Sequence, residues 1–270
     1  MTTFSSDRTF GVEFEAFNVD RRTLVSELRS VGIRAEMAYY SGSNFNLWQI
    51  KTDGSINGPQ GFEVVSPVLR GDAGLAEVEK VLEVMNRLDA KVNRSCGFHV
   101  HWGVGDWGVK QFRNVSKRWM KFERSFDMIQ PMSRRGNTNQ YLQNFNSFNS
   151  LEVAFQKVDA CRTVTEISHQ FQGGMGGRYK KLNFKKFNVT GTVEFRHHSG
   201  TTDFAKVKAW LLLTNSMVAD ADSNKSIKRW AQATDAQTAL KVLLNAAVRT
   251  GGIDAATRKF YTRRARQLVL

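Results

Sequence analysis

Apolar and polar residues alternate through residues 96–103: Cys96, Phe98, Val100 and Trp102 interleave with Gly97, His99, His101 and Gly103. A period of two is that of a β-strand with unlike faces. One face is predicted to pack on a core. The other carries two imidazoles about 7 Å apart, from two residues at roughly 3.3 Å rise each. Residues 8–17 repeat the pattern, with Phe10, Val12, Phe14 and Ala16 on one side and Gly11, Glu13, Glu15 and Phe17 on the other. Residues 62–66 form a short strand closed by Pro67, with Glu63 beside Val65 and away from Phe62 and Val64. In residues 192–199, Glu194, Arg196 and His198 oppose Val193, Phe195 and His197. Further strands are predicted over 33–40 and 48–51, the second ending at the turn residues Asp53 and Gly54. Another, over 178–184, pairs with the strand after Gly191.

Spacings of three and four mark the helices. Asp20 caps one that carries Leu24, Leu28 and Val31 and stops at Gly32. Residues 72–88 place Leu75, Val78, Leu82, Met85 and Leu88 on one face. The longest helix, about 108–129, has the stripe Phe112, Val115, Trp119, Phe122, Phe126 and Ile129 and ends before Pro131. Residues 138–171 read as helical with interruptions. Residues 203–220, 235–248 and 254–268 follow, each opening on an aspartate. Residues 41–46 read as a polar loop and 173–177 as a glycine link without a Walker lysine. No repeat or linker interrupts the chain, so one domain over 1–270 is predicted. The class is α+β: a curved, mainly antiparallel sheet with helices packed on its back.

The polar faces carry the candidate chemistry. Two carboxylates on one strand face repel unless a cation lies between them. Glu13 and Glu15 are therefore candidate ligands for a hard divalent ion, and His99 and His101 suit metal ligation or phosphate contact. An exposed strand face would show the same alternation. Glu194 beside Arg196 fits either an ion pair across a strand face or a metal ligand next to a phosphoryl grip. The basic loop around Arg134 offers a phosphate or carboxylate contact. A sheet lined with acid and histidine would cradle Mg²⁺ ions and a nucleoside triphosphate.

Composition narrows the setting. The formal charge of +14 favours an anionic partner such as a nucleotide or nucleic acid. Denser basic runs lie at 178–186 and 258–266. Two cysteines are too few for a disulfide framework and favour a reducing cytoplasm. No apolar run is long enough for a membrane span, and the first residues lack a signal-peptide core.

The ordered set Gly11-Val-Glu-Phe-Glu15, Asp53-Gly-Ser55, Glu63-Val-Val-Ser-Pro67, Cys96-Gly-Phe-His-Val-His101, Arg178-Tyr179, Asn183 and Thr192-Val-Glu-Phe-Arg196 resembles the amidoligase family over about residues 8–215. That family is a branch of the carboxylate–amine ligases with a glutamine synthetase-like fold, common in bacteriophage and bacterial genomes. The C-terminal helices, about 216–270, lie beyond the motifs. The resemblance implies joining of a carboxylate to an amine at the expense of ATP, with Mg²⁺ or Mn²⁺, through an acyl phosphate. It implies Glu13, His99 and Glu194 as ligands of a metal bridging the ATP phosphates. Glu15 and Glu63 would hold a metal nearer the acyl substrate. His101, Arg178 and Arg196 would contact the phosphates, with Arg134 a further phosphate candidate. Partners would then be ATP, a carboxylate donor and an amine acceptor, in the host cytoplasm if phage-encoded, with no membrane. The alternative is a basic protein that binds or modifies nucleic acid.

Overall fold

The computed structural model describes residues 8–39, 46–145, 150–172, 174–223 and 235–269. Residues 41–45 of the loop predicted over 41–46, and Gly173 of the glycine link, lie outside the described residues. The chain forms two compact units, one holding residues up to 102 together with 198–211, the other holding 103–197 and 212 onward.

The first unit is built on a mainly antiparallel sheet. Strand β1 (Thr9–Ala16) is followed by α1 (Arg21–Ser30), β2 (Ala35–Met37), β3 (Trp48–Thr52), β4 (Phe62–Val65), β5 (Leu69–Arg70), α2 (Gly71–Arg87) and β6 (Gly97–Gly103). The spatial order is β2-β3-β4-β1-β6, with β5 paired to the start of β1. Among the described strands of this unit, only β2 and β3 run parallel. Phe10, Val12, Phe14, Phe62, Val64, Phe98, Val100 and Trp102 are all buried, as the alternation requires. Helix α2 covers this apolar face: a Cβ added at Gly74 would lie 2.8 Å from Leu69 Cβ and 3.3 Å from the Phe10 ring. Asp20 caps α1, accepting from the Thr23 amide at 2.9 Å. The strand predicted over 33–40 is shorter than expected because Met37 and Tyr39 face solvent and have no apolar surface to bury against.

The second unit is mostly helical. Its elements are α3 (Val109–Met128), α4 (Leu151–Ala160), α5 (Val164–Gln172), β7 (Leu182–Asn183), α6 (Phe187–Thr190), β8 (Thr192–Ser199) as far as His197, α7 (Phe204–Asp222) from Leu212 onward, α8 (Ala236–Arg249) and α9 (Ala255–Val269). The end of β8 and the start of α7 belong to the first unit. In α3, Phe112, Val115, Trp119 and Phe126 are fully buried. Phe122 is only half-buried, and Glu123 takes the inward place, its carboxylate accepting from Trp119 Nε1 at 2.9 Å and the Phe145 amide at 3.0 Å. The strand predicted over 178–184 is two residues long and follows a 3-10 run at Gly174–Tyr179. Its pairing to β8 is antiparallel as expected, Asn183 opposite Glu194. The run before Gly191 closes as a single helical turn, with Gly191 in the left-handed region at φ 66°. Its missing side chain also lets the chain pass close to Gly105.

Together these units make an α+β protein. No helix among the described residues is long and apolar enough to cross a membrane.

Candidate metal and phosphate site

Register brings the acids and histidines of the first unit together. Pairing of β1 with β6 sets Glu13 directly opposite His99 and Gly11 opposite His101. Pairing of β1 with β4 sets Glu15 opposite Glu63, which in turn faces Lys51 on β3. Directly opposed Cβ atoms lie about 5 Å apart, so each pair can touch. Glu13 spans two imidazoles: Oε2 meets His99 Nδ1 and Oε1 meets His101 Nε2, both at 3.0 Å. Gly11, having no side chain, leaves that space beside His101 free.

His99 is 3 % exposed and stands between two carboxylates. Its Nδ1 faces Glu13, and its Nε2 lies 3.4 Å from Glu15 Oε1. A neutral imidazole has one N–H. Satisfying both carboxylates therefore takes a second proton or a cation close by. Glu15 is anchored on its other oxygen by the Gly97 amide at 2.6 Å.

The electrostatics point the same way. Burial alone would raise the Glu13 carboxyl, but the charge and hydrogen bonds of His101 and His99 outweigh it and hold Glu13 well below the usual range. Glu63 goes the other way. Burial pushes its carboxyl well above the ordinary value, and the negative charges of Glu13, Glu15 and Asp53 add to it, with Lys51 offsetting only part. Carboxylates this close to one another would be drawn together by a divalent ion.

Within this unit, two donor sets have atoms close enough to share an ion. Glu13, Glu63 and His99 offer ligand atoms within 4.8 Å of one another, and so do Glu15, Asp53 and Glu63. Carboxylate oxygens with one imidazole suit Mg²⁺ or Mn²⁺. Asp53 stands in the motif set that resembles the family, but the sequence assigns it no ligand role. It reads as a turn residue, and its Oδ1 does accept from the Ser55 amide and hydroxyl at 2.8 and 2.7 Å. Its position in the acidic group shows only once β3 and β4 are paired.

The remaining candidates belong to the second unit. Glu194 is 3 % exposed, with Oε2 accepting from Asn183 Nδ2 at 3.1 Å and Oε1 from Arg196 Nη1. The same Asn183 amide donates to the Arg178 carbonyl at 2.9 Å. Arg178 itself is exposed, its guanidinium 4.7 Å from the Tyr179 ring centre. Arg134 differs from the phosphate contact expected of it. It is 3 % exposed, and its guanidinium donates to the main-chain carbonyls of Arg196 at 2.9 Å and His197. Those bonds hold the β8 backbone.

His198 also departs from the alternation. Its ring lies 5.5 Å from Phe98 and 5.2 Å from Trp210, among core aromatics instead of with the polar groups. A groove of about 470 Å³ lined by Ile33, Arg34, Val68, Leu69, Ala76 and Lys80 shares no residue with the acid–histidine cluster.

The motifs that carry the cluster can now be compared with known proteins. A family model described as "Putative amidoligase enzyme" matches residues 6–218. The chain belongs to the amidoligase family. The match takes in every acid and histidine of the cluster as well as Glu194 and Arg196. A search of curated proteins finds no match. Family membership supports a ligase role for this amidoligase-family protein, and the first unit's polar sheet face is the natural place to look for its chemistry.

Proposed function

We propose that this protein is an ATP- and Mg²⁺-dependent carboxylate–amine ligase with a glutamine synthetase-like catalytic core. The observation that carries the reading is the meeting of Glu13, Glu63 and His99 ligand atoms within 4.8 Å on one sheet face, in a chain of the amidoligase family. A carboxylate is a poor acyl donor because its leaving group would be oxide. In the proposed reaction a substrate carboxylate oxygen attacks the γ-phosphorus of ATP, giving an acyl phosphate and ADP. The amine nitrogen then attacks the acyl carbon, loses a proton, and displaces phosphate.

Bound Mg²⁺ would neutralise the phosphoryl oxygens and align them for attack. The protein's own groups prepare for that. His99 and His101 orient the Glu13 carboxylate and keep it ionised, so it needs no deprotonation to act as a ligand. Glu15, fixed by the Gly97 amide, and Asp53 flank Glu63 and would share a second ion. Arg196 is an always-charged fork suited to phosphoryl oxygens. His101 and Arg178 are further phosphate contacts, and Glu194 is a further metal ligand. Positioning and charge stabilisation of this kind supply most of the catalysis of phosphoryl transfer.

The test uses Mn²⁺ binding followed by electron paramagnetic resonance, and hydroxylamine as a general amine that traps acyl phosphates as hydroxamates. Glu13→Gln and His99→Ala should each weaken Mn²⁺ binding at least tenfold and abolish hydroxamate formation from any active carboxylate. Unchanged Mn²⁺ affinity in both variants would sink the assignment.

A further inference from the structure

Charge is spread unevenly along this chain. Residues 224–270 carry ten Lys and Arg against two Asp, a net +8 out of +14 in only 47 residues. They lie outside the matched residues 6–218, so the ligase reading does not account for that charge.

Helix α9 concentrates it. Over Ala255–Val269 there are five cations and no carboxylate. Thr257, Tyr261 and Ala265, four residues apart, form the buried seam. Lys259, Arg263 and Arg266 are exposed. At 3.6 residues per turn they fall within an arc of about 60° on the side away from that seam. Arg258 is exposed beside them, and none of these four side chains makes an ion pair with a described residue. Arg264 instead turns inward, donating to the Ile129 carbonyl at 2.7 Å.

The geometry selects the partner. From Lys259 to Arg266 the stripe is about 10 Å long at 1.5 Å per residue. One strand of duplex DNA presents a phosphate about every 3.4 Å of axis, so three cations meet about three phosphates. An anionic membrane surface holds a helix firmly when large apolar side chains on the same outer face enter the headgroup boundary. Among the described side chains, α9 carries none on that arc; the part-exposed Phe260 and Leu268 lie off it. We infer that the outer face of α9 docks this protein on the phosphate backbone of duplex nucleic acid, without reading its sequence.

The test is fluorescence anisotropy of the full chain with a short labelled DNA duplex between 50 and 200 mM salt. K259Q/R263Q/R266Q should bind at least tenfold more weakly at 50 mM. The slope of log affinity against log salt should fall by about two to three. K259R/R263K/R266K, which keeps the charge, should retain affinity within about twofold. R22Q/K80Q/R94Q removes as much exposed charge elsewhere and should also stay within about twofold. Circular dichroism melts of the variants should match the parent, since all six positions are exposed. Equal losses from the two neutralised triples would overturn the inference. So would loss in the charge-keeping variant, or absence of salt-dependent duplex binding by the parent. Tighter binding of the parent to phosphatidylserine vesicles than to the duplex, lost in the α9 triple, would assign the face to membrane instead.

Discussion

At the residue scale the site turns on Glu63. It sits opposite Glu15, and like charges directly across a sheet repel. Removing its charge should help the metal-free fold while spoiling the ion site. Glu63→Gln is expected to raise the thermal midpoint without metal, by about 1 kcal/mol of stability. It should also abolish the further rise that Mg²⁺ or Mn²⁺ gives the parent by binding only the native state. Calorimetry with and without metal checks both halves; an unchanged metal-induced rise in Glu63→Gln would remove Glu63 from the ligand set. The carboxylates and imidazoles were legible as candidates because they fall on the polar side of period-two segments. Asp53 and the buried role of Arg134 were not. A turn aspartate looks the same with or without an ion beside it, and a long arginine side chain can reach inward or outward from one loop position.

At the element scale, packing of α2 on the sheet depends on the absence of a side chain at Gly74. Ala is the better helix former by about 1 kcal/mol, yet here its Cβ would meet Leu69 Cβ at 2.8 Å. That atom is tied directly to the backbone and has little freedom to retreat. Overpacking of this kind costs about 1–3 kcal/mol, so Gly74→Ala should be net destabilising in urea titration. The opposite sign would mean that α2 slides freely on β5. Strands β1, β4, β6 and β8 and all the long helices were readable because a buried face leaves a strict periodic trace. Strands β2, β5 and β7 were shortened or missed. Two or three residues are too few to establish a period, and their pairing is set by neighbours far away in sequence.

At the scale of the whole molecule, folding stability should carry the mark of a buried polar network in the second unit. His197 Nε2 lies 2.9 Å from Asp127 Oδ1, and Lys181 Nζ reaches the same oxygen at 2.7 Å. Burial lowers His197 from 6.5 to about 4, with Asp127 opposing. The unfolded chain therefore takes up the proton first, and this group's contribution to stability rises with pH from about 4 to 6.5. Burial raises Glu123 from 4.5 to about 7. There the unfolded chain ionises first, so stability falls as pH rises across about 4.5 to 7. The two slopes, each about 1.4 kcal/mol per pH unit, oppose one another. Asp127 is desolvated too, but His197 and Lys181 hold it at about 2. Its contribution is present above about 4 and lost toward pH 2. Glu63, also raised by burial, adds a falling contribution of its own, so the test is a difference between two proteins. The stability of Glu123→Gln minus that of the parent should climb with pH over about 4.5 to 6.5. A difference that stays constant over that interval would show that Glu123 titrates alike folded and unfolded.

The sequence by itself determined which residues of β1, β4 and β6 face the core, the positions of the long helices, the family, and the excess of positive charge in residues 224–270. Those properties are local: each follows from the period of a segment or from counting. Tertiary structure alone decided that Glu13 meets His99, that Glu63 lies against Glu15 and Asp53, and that His198 joins the aromatic core. It also decided that α9 turns Lys259, Arg263 and Arg266 outward together. Strand register and helix rotation are fixed by contacts between segments scores of residues apart, and no local pattern records the partner.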